Sequence, residues 1–178
     1  MSVVAPLDSF SNTAIDSLLD AAFGADRRGR TAYLIRQGME WLPELSFGIA
    51  DADGMLIASL QSWPVGLHTL PGGQLPLIMV GPVAVAPDLQ GGGLGRKLMD
   101  AAVEAARAQG SEPLMMIGDP EYYGRFWGFT ADDTGGWDAP GAFERRRLLA
   151  LSVDGRPVGG RGMLGPRMFI PSHAGSSS

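Results

Sequence analysis

Four glycines stand close together at the start of a predicted helix, in the stretch APDLQGGGLGRKLMDAA at residues 86–102. Glycine loses more conformational freedom on folding than any other residue, so it is an unfavourable residue with which to begin a helix. The predicted helix runs from Leu94 to Gln109 and ends at Gly110. An apolar run, LPLIMVGPVAVAP, precedes the glycines, and a second one, EPLMMIGD, follows the helix. This order of strand, glycine turn, helix and strand at residues 77–118 predicts a βαβ unit, with two parallel strands joined by a right-handed connection.

The other elements predict a mixed sheet. The segment LSFGIADADGMLIASLQSWPV is typical of two strands that turn at Asp53 and Gly54. A helix is predicted over NTAIDSLLDAAFG, with Asn12 or Thr13 as its N-cap and Gly24 just past its end. We expect a second short helix in RTAYLIRQGMEW, a loop in LHTLPGGQ and a last strand in RRRLLALSVD.

Length and composition indicate one folded domain. The chain has 178 residues, of which 45% are hydrophobic, and this is enough for one domain with its own core. We expect the domain at residues 1–170 and a disordered tail, PSHAGSSS, at 171–178. The beginning, MSVVAPLDSF, lacks the pattern of a secretory signal, and no apolar run reaches the length of a membrane span. A soluble, cytoplasmic protein is expected, and its oligomeric state stays open, a homodimer included.

Charge and residue types exclude several classes of function. The formal net charge is −5, so we expect no basic surface that would hold a nucleic acid. The absence of cysteine excludes disulfides, thiolate catalysis and cysteine metal sites. The two histidines, His68 and His173, are far apart in sequence, so a histidine zinc site is not expected and no metal is predicted.

The glycine run is suited to binding an anion. The beginning of a helix carries several unpaired N–H groups and a partial positive charge, and glycine lets a phosphate approach those groups closely. Arg96 and Lys97 fall in the first turn, where a cation opposes the helix dipole unless an anion is bound. The alternative is a tight turn without a ligand. Four glycines at the junction favour the phosphate site.

Two common nucleotide motifs do not fit. A nucleotide-phosphate loop needs Lys followed by Ser or Thr, whereas Lys97 is followed by Leu98, so an NTPase is disfavoured. The dinucleotide fingerprint, started at Gly91, would place its third glycine at Arg96.

The stretch VAVAPDLQGGGLGRKLM resembles the acyl-CoA signature of the GNAT superfamily of N-acyltransferases, and the resemblance continues through PLMMIGDPEYYGRFWGFT, covering about residues 77–130. It implies an α/β fold with a mixed, mostly antiparallel sheet, a splayed parallel strand pair and flanking helices. It also implies that acetyl-CoA binds on a set of strand and turn residues, namely Val83, Ala84, Val85, Gln90, Gly91, Gly92, Gly93, Leu94, Gly95 and Arg96.

The resemblance also implies roles in catalysis. The strand is expected to bulge at Gly81 and Pro82 and to open a wedge for the pantetheine arm, with the Val85 N–H facing the thioester oxygen. A tyrosine is expected to protonate the leaving sulfur. Tyr123 lies five residues before Gly128, one more than in common members of the family, so Tyr122 and Tyr123 both remain candidates.

The implied activity is acetyl transfer from acetyl-CoA to a primary amine of a small molecule, peptide or protein. A general base is harder to identify: the sequence offers only a set of scattered acids, with a water chain as the alternative, namely Glu40, Glu44, Asp119 and Glu121. A non-catalytic acyl-CoA-binding or interaction module on the same fold is the competing interpretation.

Overall fold

The computed structural model describes residues 2–169, which form one eight-stranded mixed sheet with helices on both faces. The strands are β1 (Val4–Pro6), β2 (Phe47–Ala50), β3 (Leu56–Thr69), β4 (Gly73–Val85), β5 (Leu114–Ile117), β6 (Trp137–Asp138), β7 (Leu148–Leu151) and β8 (Gly162–Pro166). The helices are α1 (Asn12–Phe23), α2 (Thr31–Ile35), α3 (Leu94–Gln109) and α4 (Pro120–Trp127). The strand order is β1-β2-β3-β4-β5-β7, and β8 pairs with both β3 and β6.

The helices largely follow the predicted boundaries. α3 runs over Leu94–Gln109 as predicted and ends at Gly110, whose φ of +62° suits glycine. The predicted N-cap of α1, Asn12 or Thr13, is wrong by a residue or two: the Ser11 side chain accepts the Ala14 N–H at 3.1 Å. Serine is an equally good N-cap, so local composition alone did not distinguish neighbouring positions.

The strands extend further than predicted. β2 and β3 form the expected hairpin, and Asp51 Oδ1 accepts the backbone N–H groups of Asp53 and Met55 in its turn. The predicted loop in LHTLPGGQ is wrong, because β3 continues to Thr69 and β4 begins at Gly73. The last residues of β3 also pair with β8, and this tertiary pairing outweighs the local turn residues.

The sheet is mostly antiparallel, and the predicted βαβ unit is confirmed. β4 and β5 are parallel but pair at only two positions, Ile78 with Leu114 and Met79 with Met115. Helices α3 and α4 pack on one face of the sheet, while α1 and α2 pack on the other. The short strands β6 and β8 form a second parallel pair. Neither this pair nor β1 was predicted from the sequence.

A β-bulge interrupts β4 at Gly81 and Pro82. These two residues lie opposite the single residue Gln61 of β3, since Val83 pairs with Leu60 and Val80 with Ser62. The alternation of the strand therefore shifts by one residue. Even-numbered side chains such as Val80 pack on the α3 face before the bulge, and odd-numbered ones such as Val83 pack there after it.

Within the described residues no helix is long and apolar enough to cross a membrane. The predicted disordered tail at 171–178, together with His173, lies outside the described residues.

Candidate functional site

A cavity of about 680 Å³ lies where β4 and β5 diverge. We call it the wedge cavity. Residues Met79 to Val83 of β4 and Met116 and Ile117 of β5 form its two strand walls, and Tyr123 of α4 and the segment 29–34 complete it. The two strands stop pairing after Met79 and Met115, so the backbone of β4 has no partner strand along this side of the cavity in the described chain.

The backbone of β4 beyond the bulge has a free side. The Ala86 N–H donates to the Ile57 carbonyl at 2.9 Å, which fixes the residues that bond to β3. Bonded residues alternate along an antiparallel ladder, so Val83 and Val85 direct their N–H and C=O groups away from β3. The Gln90 side-chain amide donates to the Val85 carbonyl at 3.5 Å, a weak contact that agrees with this direction.

The glycine turn between β4 and α3 lines a second cavity of about 500 Å³, which we call the glycine-turn cavity. Gly91 and Gly93 have φ values of +88° and +83°, a conformation that favours glycine. Gly93 is the N-cap of α3 and provides no side-chain oxygen to the first N–H groups of the helix. These N–H groups are therefore available to an anion at the helix start.

The structure brings most of the predicted binding residues together. The glycine-turn cavity is lined by eight of them, namely Val83, Val85, Gln90, Gly91, Gly93, Leu94, Gly95 and Arg96. Gly92 does not line it, and the Ala84 side chain is buried against α1 on the opposite face of the sheet. Arg96 is exposed, with its guanidinium 4.0 Å from the centre of the Phe126 ring.

The two candidate tyrosines face different cavities. Tyr123 is half-buried and lines the wedge cavity, whereas Tyr122 is 38% exposed and lines the glycine-turn cavity. The Tyr123 ring packs against the bare backbone of Gly118, where a Cβ would lie only 2.7 Å from the ring. Burial raises the pKa of the Tyr123 phenol above its ordinary value, and the neighbouring Tyr122 acts in the same direction. The phenol is therefore held in its protonated form.

A hydrogen bond joins the two helices that border these cavities. The indole N–H of Trp127, at the end of α4, donates to Asp100 Oδ1 of α3 at 2.8 Å. Trp127 is buried, so the bond fixes α4 against the helix that follows the glycine turn.

The predicted acids do not reach the wedge cavity. Glu40, Glu44, Asp119 and Glu121 are exposed and outside its lining, and Asp119 serves as the N-cap of α4, accepting the Glu121 N–H at 3.0 Å. The described residues that line the cavity include no carboxylate. Arginines line it instead, namely Arg27, Arg30 and Arg147.

A third cavity, of about 430 Å³, adjoins the first and was not predicted from the sequence. We call it the arginine cavity; Arg27, Tyr33, Arg36, Gln61 and Trp63 belong to its lining. It shares Arg27, Tyr33 and Leu34 with the wedge cavity. No sequence motif marks these residues. Among the described residues there is also no cluster of three or more acids and histidines that could hold a metal ion.

Comparisons with known proteins agree on one family. The family model described as "Acetyltransferase (GNAT) domain" matches residues 8–130. A curated relative, the "Uncharacterized N-acetyltransferase YhbS" of Escherichia coli K12, is 27% identical over 121 residues, which is 68% of this chain and 68% of that protein.

Two solved structures share the fold over nearly the whole chain. Escherichia coli YhbS in complex with CoA has a TM-score of 0.66 at 24% identity, and the match covers 92% of this chain and 88% of that one. A GNAT family acetyltransferase from Brucella melitensis, in complex with acetyl-CoA, has a TM-score of 0.61 at 24% identity, covering 91% and 93%. The predicted fold is thereby confirmed.

Proposed function

Because this chain belongs to the GNAT acetyltransferase family, we propose that it transfers an acetyl group from acetyl-CoA to a primary amine. The observation that carries the proposal is the divergence of β4 from β5, which leaves a free backbone edge between the wedge cavity and the glycine-turn cavity. An extended pantetheine chain with two amides fits a free strand edge, and a diphosphate fits the start of a helix. Both features occur side by side here.

We assign the binding of acetyl-CoA to backbone groups. The N–H groups of the glycine turn and the first turn of α3 would hold the diphosphate, and the outward groups of Val83 and Val85 would pair with the pantetheine amides. The positive φ of Gly91 and Gly93 lets the turn direct successive N–H groups toward one anion. Acetyl-CoA supplies an acetyl group already activated as a thioester.

Two kinds of hydrogen-bond donor would stabilise the negative charge that develops during acetyl transfer. A fixed backbone N–H of the free edge, at Val83 or Val85, stabilises the negative charge that builds on the thioester oxygen. Tyr123 is the acid that we assign to the leaving sulfur, because it lines the wedge cavity and its raised pKa keeps it protonated. Tyr122 is the second candidate, and its side chain lines the glycine-turn cavity instead.

The attacking amine has to be neutral. Arg27, Arg30 and Arg147 line the wedge cavity, and nearby positive charge lowers the pKa of a bound amine. No carboxylate among the described residues lines that cavity, so we assign removal of the amine proton to water. The same observation favours the alternative function, a non-catalytic acyl-CoA-binding module.

Release of CoA separates the two functions. The protein is mixed with acetyl-CoA and a panel of primary amines, and free CoA is measured with a thiol reagent. Because the chain contains no cysteine, the signal comes from CoA alone. Release that requires both protein and amine is the expected result. Tight binding of acetyl-CoA with no amine-dependent release would instead identify a binding module.

Three further inferences from the sequence stay predictions. They are a single acetyltransferase domain at residues 1–170, a cytoplasmic location and, for the oligomeric state, a homodimer as one alternative.

A further inference from the structure

The arginine cavity contains an unusual concentration of unpaired polar atoms. Among the described residues, seven buried side-chain nitrogen and oxygen atoms lack a hydrogen-bond partner, and five of them belong to four residues that line this cavity. The five atoms are Arg27 Nε, Arg27 Nη1, Tyr33 Oη, Arg36 Nε and Gln61 Oε1. Of these, Arg27 Nη1 still forms a salt bridge with Asp20 Oδ1 at 3.5 Å. Buried polar groups in proteins almost always have a partner, so these atoms are available to water or to a ligand that enters the cavity.

The two buried arginines differ in how their charges are compensated. Arg27 is 1% exposed and lies 3.4 Å from Asp16 and 3.5 Å from Asp20. Arg36 is 5% exposed, and no salt bridge to it is found within residues 2–169. Burial lowers the pKa of Arg36 to about 10, so its charge persists at neutral pH. A buried charge without a counter-ion is strongly unfavourable, and Arg36 therefore suits an anion from outside the chain.

Aromatic rings restrict the direction from which that anion can come. The Arg36 guanidinium lies 3.9 Å from the centre of the Tyr33 ring and 3.7 Å from the Trp63 ring. The rings stabilise the cation through their faces, and the Nε–H group of Arg36 has no hydrogen-bond partner in the described chain. A partner must approach in the guanidinium plane, where two N–H groups match the two oxygens of a carboxylate.

The arginine cavity is connected to the proposed reaction site. It shares Arg27, Tyr33 and Leu34 with the wedge cavity. The indole N–H of Trp63 also donates to the Gly81 carbonyl at 2.8 Å, so one ring contacts Arg36 and bonds to the bulge of β4. A molecule that occupies both cavities would place one end against Arg36 and the other near the free edge of β4.

We propose that the acceptor is an amine that also carries a carboxylate, which Arg36 binds in the arginine cavity while the amine lies in the wedge cavity. This inference rests on the proposed acetyl transfer and defines its substrate class. A net charge of −5 would favour cationic acceptors, but three arginines line the cavity, namely Arg27, Arg28 and Arg36. The cavity lining also includes Asp16, which is 58% exposed and pairs with Arg27, so the buried charge of Arg36 outweighs distant surface charges.

The test uses matched pairs of probes. The probes are ω-amino carboxylic acids of three to six carbons, the corresponding ω-amino amides and the corresponding ω-aminoalkyl phosphates. Each is assayed for CoA release and, separately, for binding to the CoA-loaded protein by calorimetry. The variants are Arg36→Met, which keeps bulk between the two rings, and Arg36→Lys, which keeps the charge. Arg107→Gln is the control, because Arg107 is exposed on α3 and lines none of the three cavities.

We expect the wild-type protein to prefer at least one acid over its amide. In Arg36→Met, KM for that acid should rise by about ten- to a hundredfold, the effect of losing hydrogen bonds to a charged group, while KM for the amide stays unchanged. Arg36→Lys should recover only part of the preference because it lacks the planar pair of donors. Arg107→Gln should change either value by less than about threefold, since Arg107 lies outside the cavities and solvent screens its charge.

The binding measurement distinguishes failure of this inference from failure of the proposed function. Amine-dependent CoA release with no preference for acids over amides would overturn the inference and leave acetyl transfer supported. A preference for the ω-aminoalkyl phosphates over the ω-amino acids would overturn the proposal that the bound group is a carboxylate. Binding of the acids that depends on Arg36, without CoA release from any amine, would support the anion site and overturn acetyl transfer. An acid preference that Arg36→Met leaves intact would also overturn the inference.

Discussion

Replacing Gly95 with alanine isolates the contact between α3 and the proposed cofactor. Gly95 is in the first turn of α3 and lines the glycine-turn cavity. Its φ is not positive, and an added Cβ would lie 3.6 Å from Val83 Cγ1 and 3.8 Å from Val85 Cγ2, which are ordinary contacts. The folded chain therefore tolerates Gly95→Ala, and helix propensity adds up to about 1 kcal/mol of stability.

Bound CoA would meet the same methyl group on the cavity side. Forcing an extra methyl into a filled site costs about 1–3 kcal/mol, which corresponds to a dissociation constant about 5- to 150-fold higher. For a tenfold loss, CoA at a hundred times the wild-type dissociation constant would stabilise the variant by about 1.4 kcal/mol, against about 2.7 kcal/mol for the wild type.

Chemical denaturation with and without CoA, together with calorimetry, measures both effects. Gly135→Ala is the matched control, because Gly135 has no positive φ, no atom within 4 Å of an added Cβ and no place in the three cavities. A Gly95→Ala protein that keeps its stability and binds CoA as tightly as the wild type would refute the placement of the cofactor against this turn.

Three further predictions test the remaining assignments. Gly93→Asp and Gly93→Asn strain the turn to the same extent and differ only in charge. The aspartate variant should bind CoA at least about fivefold more weakly than the asparagine variant, because its charge repels phosphate. Equal affinities of the two variants at low salt would argue against a diphosphate at this turn. Tyr123→Phe should lower kcat about a hundredfold with little change in CoA affinity. It should also remove a decline in kcat at alkaline pH, which lies above the ordinary range of a phenol because burial raises the pKa of Tyr123. A large loss in Tyr122→Phe alone would transfer the role to Tyr122. Gly118→Ala should displace the Tyr123 ring and lower kcat about tenfold or more. An unchanged kcat in the CoA-release assay would show that the position of this ring does not matter for catalysis.

The local elements were predictable because their signals lie within a few residues. The run from Leu94 to Gly110 has helical periodicity and a glycine at each end, and the structure places α3 over the predicted residues. The two apolar runs on either side of this helix correctly predicted the parallel strands β4 and β5. The loop predicted at LHTLPGGQ failed because β8, almost a hundred residues later, pairs with the end of β3, and a local pattern contains no information about such a partner.

The phosphate-binding part of the candidate site was predictable for the same reason, since the glycine turn is one continuous segment. The arginine cavity was not. Its residues come from α1, from the segment around α2 and from β3, and none of them belongs to a recognisable motif. Arg36 looks like one more surface charge in the sequence, and only the packing of Tyr33 and Trp63 on its two faces distinguishes it. Likewise, the spacing of Tyr122 and Tyr123 did not indicate which cavity each would face.

The free edge of β4 affects the tendency of the protein to aggregate as well as its chemistry. A strand whose outward N–H and C=O groups at Val83 and Val85 face no neighbouring strand in the described chain is a template on which another chain can add, and such edges promote aggregation. Pro82, next to these residues, has no backbone N–H to donate, so it protects the edge from strand addition only in part. A cofactor that pairs along the edge would therefore also act as a protective cap. The cellular supply of acetyl-CoA would then set how long each molecule stays soluble, in addition to how fast it works.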